Sequence, residues 1–93
     1  MSLEIFKDEE IRTALLDELE RQKKVDLIVL AKCISENAIR YLIQEIRCEE
    51  LVAVREGRKL QPEIERKLLA FALDLEKQGK LKLDFKAMKI ESL

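Results

Sequence analysis

The sequence predicts a single, mainly α-helical domain with a small β component. Three observations point to it: apolar residues recur at helical spacing in the stretches 8–21, 35–48 and 62–79; the segment KLKLDFK at 80–86 alternates strictly; and 93 residues suffice for one hydrophobic core. A domain this small gains from a subunit partner, so an oligomer, most simply a dimer, is expected.

The first helix is expected over 8–21. Asp8, Glu9 and Glu10 suit its positive N-terminal end, and Ile11, Leu15 and Leu19, with Ala14 beside them, form its inner face. Ile5 and Phe6 precede it and can fold back on that face as a hydrophobic staple. Gln22, Lys23 and Lys24 break the pattern. The stretch DLIVLAKCI at 26–34 then admits two readings. As a helix it places Leu27, Leu30, Ala31 and Ile34 on one stripe. As a strand it is a continuous run rich in β-branched residues, suited to a buried parallel sheet with further strands at 51–54 and 81–85. The segment after it favours the helix, because a helix ending near Ile34 leads directly into another.

Ser35 is a candidate N-cap, and Glu36 adds negative charge where the helix dipole favours it. The spacing of Ile39, Leu42, Ile43 and Ile46 predicts one buried stripe over 35–48; Asn37, Arg40, Tyr41 and Gln44 form a polar stripe on the solvent side. Leu51-Val52-Ala53-Val54 changes the period to that of a strand, and Arg55-Glu56-Gly57-Arg58 reads as a turn with arginines at its tip. Pro62 suits the first position of a helix that Gly79 ends. Within it Ile64, Leu68, Phe71, Ala72 and Leu75 form one stripe, and Leu69 and Leu73 a second, surplus stripe that suggests a homodimer through helix 62–79. The alternating segment 80–86 places Leu81, Leu83 and Phe85 on one side of a strand, to pair with 51–54 or with a partner subunit.

Composition narrows the function. A hydrophobic fraction of 47% excludes general disorder, and a charged fraction of 40% leaves no apolar run of the roughly 18 residues that a membrane span requires. The N-terminal stretch MSLEIFKDEE is charged and lacks an apolar core, so no signal peptide is expected. Cys33 and Cys48 are far apart and the chain has no His, which argues for free thiols in the cytoplasm and against a metal set. Without an imidazole base, a Gly-rich phosphate loop or a carboxylate pair, no enzyme and no cofactor are expected. The net charge is −1, but the segments 51–60 and 80–93 are locally positive while the first 50 residues are acidic.

Ser35-Glu36-Asn37-Ala38-Ile39-Arg40-Tyr41, followed by Leu51-Val52 and the basic run from Arg55 to Lys59, resembles the turn, recognition helix and wing of winged helix-turn-helix regulators of bacteria and archaea. The resemblance spans about residues 27–59. It implies a winged-helix core over 8–60 with an added C-terminal helix and strand over 61–93, and a homodimer acting on double-stranded DNA as a small transcriptional regulator. The residue types fit. Arg40 can donate bidentately to guanine, Asn37 and Gln44 can read adenine, and Tyr41 can reach a phosphate or a thymine methyl. Arg55, Arg58 and Lys59 would contact the DNA backbone as a wing does, and two recognition helices would lie about 34 Å apart. The balanced charge and the stripe Leu69/Leu73 support a rival function, a protein–protein assembly module of winged-helix or helical fold that binds no DNA.

Overall fold

The computed structural model describes residues 7–93. The packing expected of Ile5 and Phe6 lies outside them. Three helices and a three-stranded antiparallel sheet occur in the order α1 (Asp8–Gln22), β1 (Lys24–Asp26), α2 (Leu27–Gln44), α3 (Glu50–Lys77), β2 (Leu81–Asp84) and β3 (Lys89–Ser92). The chain is therefore mainly helical with a small β component.

Helix α1 carries Asp8, Glu9 and Glu10 in its first turn and buries Ile11, Leu15 and Leu19. It stops at Lys23, where φ turns positive (67°) directly after its N–H has donated to the Leu19 carbonyl. The ambiguous stretch at 26–34 is divided at its first residue. Asp26 ends β1, and its carboxylate then accepts the Ile28 N–H (3.0 Å) and the Val29 N–H (3.2 Å), capping α2.

From that cap α2 runs without interruption to Gln44, so no helix begins at Ser35 and no turn separates 26–34 from 35–44. The expected cap is instead an interior residue. The Ser35 hydroxyl donates back to the Lys32 carbonyl (2.9 Å), and the side chain is buried. The physical reason is that the inward stripe never breaks: Leu27, Leu30, Ala31, Ile34, Ser35, Ala38 and Leu42 succeed one another at helical spacing, with no Gly or Pro to end the helix. Of the apolar stripe expected over 35–48, Leu42 is buried, Ile39 and Ile43 are half-buried, and Ile46 lies in the turn after the helix, exposed. That turn is closed by the Cys48 N–H donating to the Leu42 carbonyl, and Arg47 takes a left-handed conformation (φ 63°).

Residues 51–54 are the first turns of α3, not a strand, and the basic segment 55–59 is helix interior, not a wing. Ala53 and Gly57, four residues apart, both face α2 and are buried; packing of this face overrides the β preference of Leu51-Val52-Ala53-Val54. Pro62 likewise sits inside α3 instead of opening it. Its missing N–H leaves the Arg58 carbonyl without the usual helical donor, and both residues lie on the exposed side of the helix. Further along, α3 buries Ile64, Leu68, Ala72 and Leu75 and ends where Gly79 takes φ 75°. Twenty-eight residues of helix span about 42 Å, which accounts for the 43 Å long dimension of a molecule only 22 × 21 Å across.

The alternating segment forms β2, but it pairs with β3 and not with 51–54; Phe85 falls in the following turn, exposed. The strand order is β1-β3-β2. Val25, Ile90, Leu83 and Leu81 turn inward onto the core made by Ile11, Leu15, Leu19, Leu27, Leu30, Ile34, Ile64, Leu68 and Leu75. Leu69, expected on a spare stripe, packs partly buried against that core. At its rim the Arg12 guanidinium lies 4.7 Å from the centre of the Phe71 ring, and the Lys67 ammonium pairs with Asp8 at 2.8 Å. No helix among the described residues is long and apolar enough to cross a membrane.

Candidate functional site: the distal half of the helical hairpin

The core cluster reaches Ile34 on α2 and Ile64 on α3. Beyond those residues the two helices continue as a hairpin whose own interior is made of Ser35, Ala38, Leu42, Ala53 and Gly57. Small side chains here let the helices approach closely. A Cβ on Gly57 would meet the Ile39 Cγ1 at 2.2 Å and Cδ1 at 2.7 Å, and the Ser35 carbonyl oxygen at 3.4 Å. The hairpin is thus a thin, two-helix arm.

All seven residues expected to touch DNA lie on this arm, and all are exposed. The arm does not gather them on one surface. Arg40 is two residues from both Ala38 and Leu42, and Arg55 two residues from both Ala53 and Gly57, so each points about 200° away from its helix's buried line. The polar stripe Asn37, Arg40, Tyr41 and Gln44 therefore leaves α2 on the far side from the outward row of α3. Arg55 (Nε to Glu56, 3.7 Å) and Lys59 (Nζ to Glu56, 3.8 Å) share one carboxylate. Arg40 and Arg58 have no acidic partner within ion-pair distance among the described residues.

The end of the arm exposes apolar side chains among charged ones. Leu51 is 84% exposed, Ile46 44% and Tyr41 40%. Around them the charge is balanced: residues 36–59 hold five acidic and five basic side chains, with Glu45, Glu49 and Glu50 flanking the turn, Arg47 within it, and Arg55, Arg58 and Lys59 about one and a half to two and a half helical turns into α3. The strand-like run at 51–54 and the turn-like Gly57 mask this surface in the sequence. A usable signal is present, since Ser35/Ala38 and Ala53/Gly57 are small residues at helical spacing in two neighbouring segments, as close helix packing requires.

The outer face of the sheet is the other surface of note, bordering a cleft of about 800 Å³ lined by Lys24, Lys82, Lys86 and Lys89 among others. Register neutralises most of it. Glu91 lies between Lys24 and Lys82, and Lys89 between Asp26 and Asp84, so each charge on the central strand has two opposite neighbours. Cys33 is exposed, Cys48 half-buried, and both are free thiols. No group of side chains able to hold a metal occurs among the described residues. No protein-family model, curated protein or solved structure matches the chain.

Proposed function

We propose that this chain is a small assembly module that binds another protein through the distal half of its α2–α3 hairpin. The observation that carries this reading is Leu51, 84% exposed in the first turn of α3 at the end of the arm, with Ile46 in the adjoining turn also open to solvent. Covering a leucine side chain is worth about 1.5–3 kcal/mol, so such an end favours a partner surface. A homodimer through helix 62–79 has less support, because Leu69 already packs on the core and Leu73 alone of that pair is open. Two free thiols support a reducing compartment such as the cytoplasm.

The test is a photo-reactive side chain placed at position 51, with a control at Glu20 on α1, irradiated in cell extract. Protein adducts at 51 and none at 20 are expected. Absence of any protein adduct at 51 would remove the reading.

A second reading, a double-stranded DNA-binding regulator, is favoured by a different observation. The order helix, strand, helix, helix, strand, strand, with strands arranged β1-β3-β2, supports a winged helix-turn-helix arrangement with element positions shifted from those read in the sequence. The α2–α3 hairpin would stand as the helix-turn-helix and the turn at 85–88, with Lys86, as the wing. In that reading Arg55, Arg58, Lys59 and Arg66 on α3 meet DNA, and Asn37, Arg40, Tyr41 and Gln44 form a separate surface. Fluorescence anisotropy against duplex DNA decides it: salt-sensitive binding weakened by Arg58→Ala supports DNA, and no binding at low salt excludes it.

A further inference from the structure

The partner of the arm can be named from its charge pattern, and we propose that it is a second copy of this chain, packed α3 against α3 across a two-fold axis at Val54. This rests on the assembly reading and identifies its partner. Glu50, Val54 and Arg58 lie at i, i+4 and i+8 on α3 and so form one ridge of the helix surface. Glu50 and Arg58 are exposed, Val54 is half-buried, and neither charge has an ion-pair partner among the described residues.

The ridge is complementary to itself when reversed. Glu50 and Arg58 stand the same distance, about 6 Å along the axis, on either side of Val54. A second copy running antiparallel brings Glu50 of each chain level with Arg58 of the other, with Val54 against Val54. A two-fold contact requires this kind of self-complementarity, because every interaction occurs twice. Leu51, one residue from Glu50 on the neighbouring ridge, is covered by the same approach, which accounts for its exposure in the single chain. Of the other cations nearby, Arg55 and Lys59 lie within ion-pair distance of Glu56, and Arg47 stands in the turn before α3.

The test uses sedimentation and native mass spectrometry on the full chain, with circular dichroism confirming that each variant is folded. The wild type sediments as a dimer at micromolar concentration, and Leu51→Asp, at an exposed position, yields a folded monomer. Glu50→Arg and Arg58→Glu each weaken self-association by roughly tenfold or more, since each places like charges opposite one another twice. Mixing those two variants restores a dimer, and that dimer is a heterodimer, because one chain then carries two arginines and the other two glutamates. The double variant Glu50→Arg/Arg58→Glu restores the homodimer. A wild type that stays monomeric overturns the second copy as partner; the assembly reading then stands or falls on the adducts at position 51. A dimer that forms but whose single variants do not recombine overturns the two-fold at Val54.

Discussion

Gly57 on α3 and Ile39 on α2 touch so closely that the hairpin has no room for a methyl group between them: a Cβ on Gly57 would lie 2.2 Å from the Ile39 Cγ1. The thickness of the arm, and with it the positions of Leu51, Val54 and Arg58, depend on this contact.

Gly57→Ala sets two effects against each other. Alanine is better than glycine in a helix by about 1 kcal/mol, but overpacking costs about 1–3 kcal/mol. The overlap involves an inner atom of Ile39 and not only its flexible end, so the overpacking should win, by up to about 2 kcal/mol. Urea unfolding should show a lower midpoint for Gly57→Ala, and Gly57→Ala/Ile39→Ala should recover part of the loss. A more stable Gly57→Ala protein would contradict the close approach.

Helix α2 starts at Asp26 and passes through Ser35, which gives two substitutions unequal effects. Asp26→Ala removes two bonds from the first turn and should cost about 1 kcal/mol. Ser35→Ala removes a back-bond to Lys32 within the helix and improves helix propensity, so it should change stability by less than about 0.5 kcal/mol. Thermal unfolding of the two variants side by side checks the order; a larger loss at Ser35 would return the helix start to that residue.

The pair between Lys67 and Asp8 predicts an alkaline effect. The hydrogen bond from Lys67 to Asp8 raises the lysine pKa above its usual 10.5, against a smaller opposing effect of burial. A raised folded-state pKa contributes stability that is fully present below the unfolded-state value and is lost as pH rises through the folded-state value. The stability difference between the wild type and Lys67→Met should therefore be constant from neutral pH to about 10 and shrink above 10.5. A difference that grew with alkalinity would show that Asp8 does not hold the ammonium.

Glu76, near the end of α3, accepts the Leu83 N–H on the outer edge of β2 at 2.8 Å. Glu76→Ala should leave that amide to water, cost about 1 kcal/mol and speed hydrogen exchange at Leu83 more than at Ile90 on the central strand. Equal acceleration at both positions would point to a global rather than a local effect.

What the sequence determined by itself was local. Acidic residues at 8–10 with Ile11, Leu15 and Leu19 behind them specify α1; Gly79 marks the end of α3; and the alternation through Leu81 and Leu83 specifies β2. These depend on the helix dipole, a positive φ and a period of two, each acting within a few residues. The solvent exposure of Asn37, Arg40, Tyr41 and Gln44 was legible from helical periodicity, whereas that of Arg55, Arg58 and Lys59 was read from a turn that the structure replaces with helix.

Tertiary structure decided the rest. Ser35 can cap a helix or lie inside one, Gly57 can make a turn or admit a neighbouring helix, and Leu51-Val52-Ala53-Val54 can be strand or helix. Local free energies at these positions differ by about 1 kcal/mol or less, so the packing of α2 on α3 resolves them together. That packing also sends Arg40 and Arg55 to opposite sides of the arm. The strand β3 shows the same dependence, since Lys89–Ser92 acquires its identity from β1 and β2 on either side, where Ile90 is buried between Val25 and Leu83 and each of its charges meets opposite charges across the sheet.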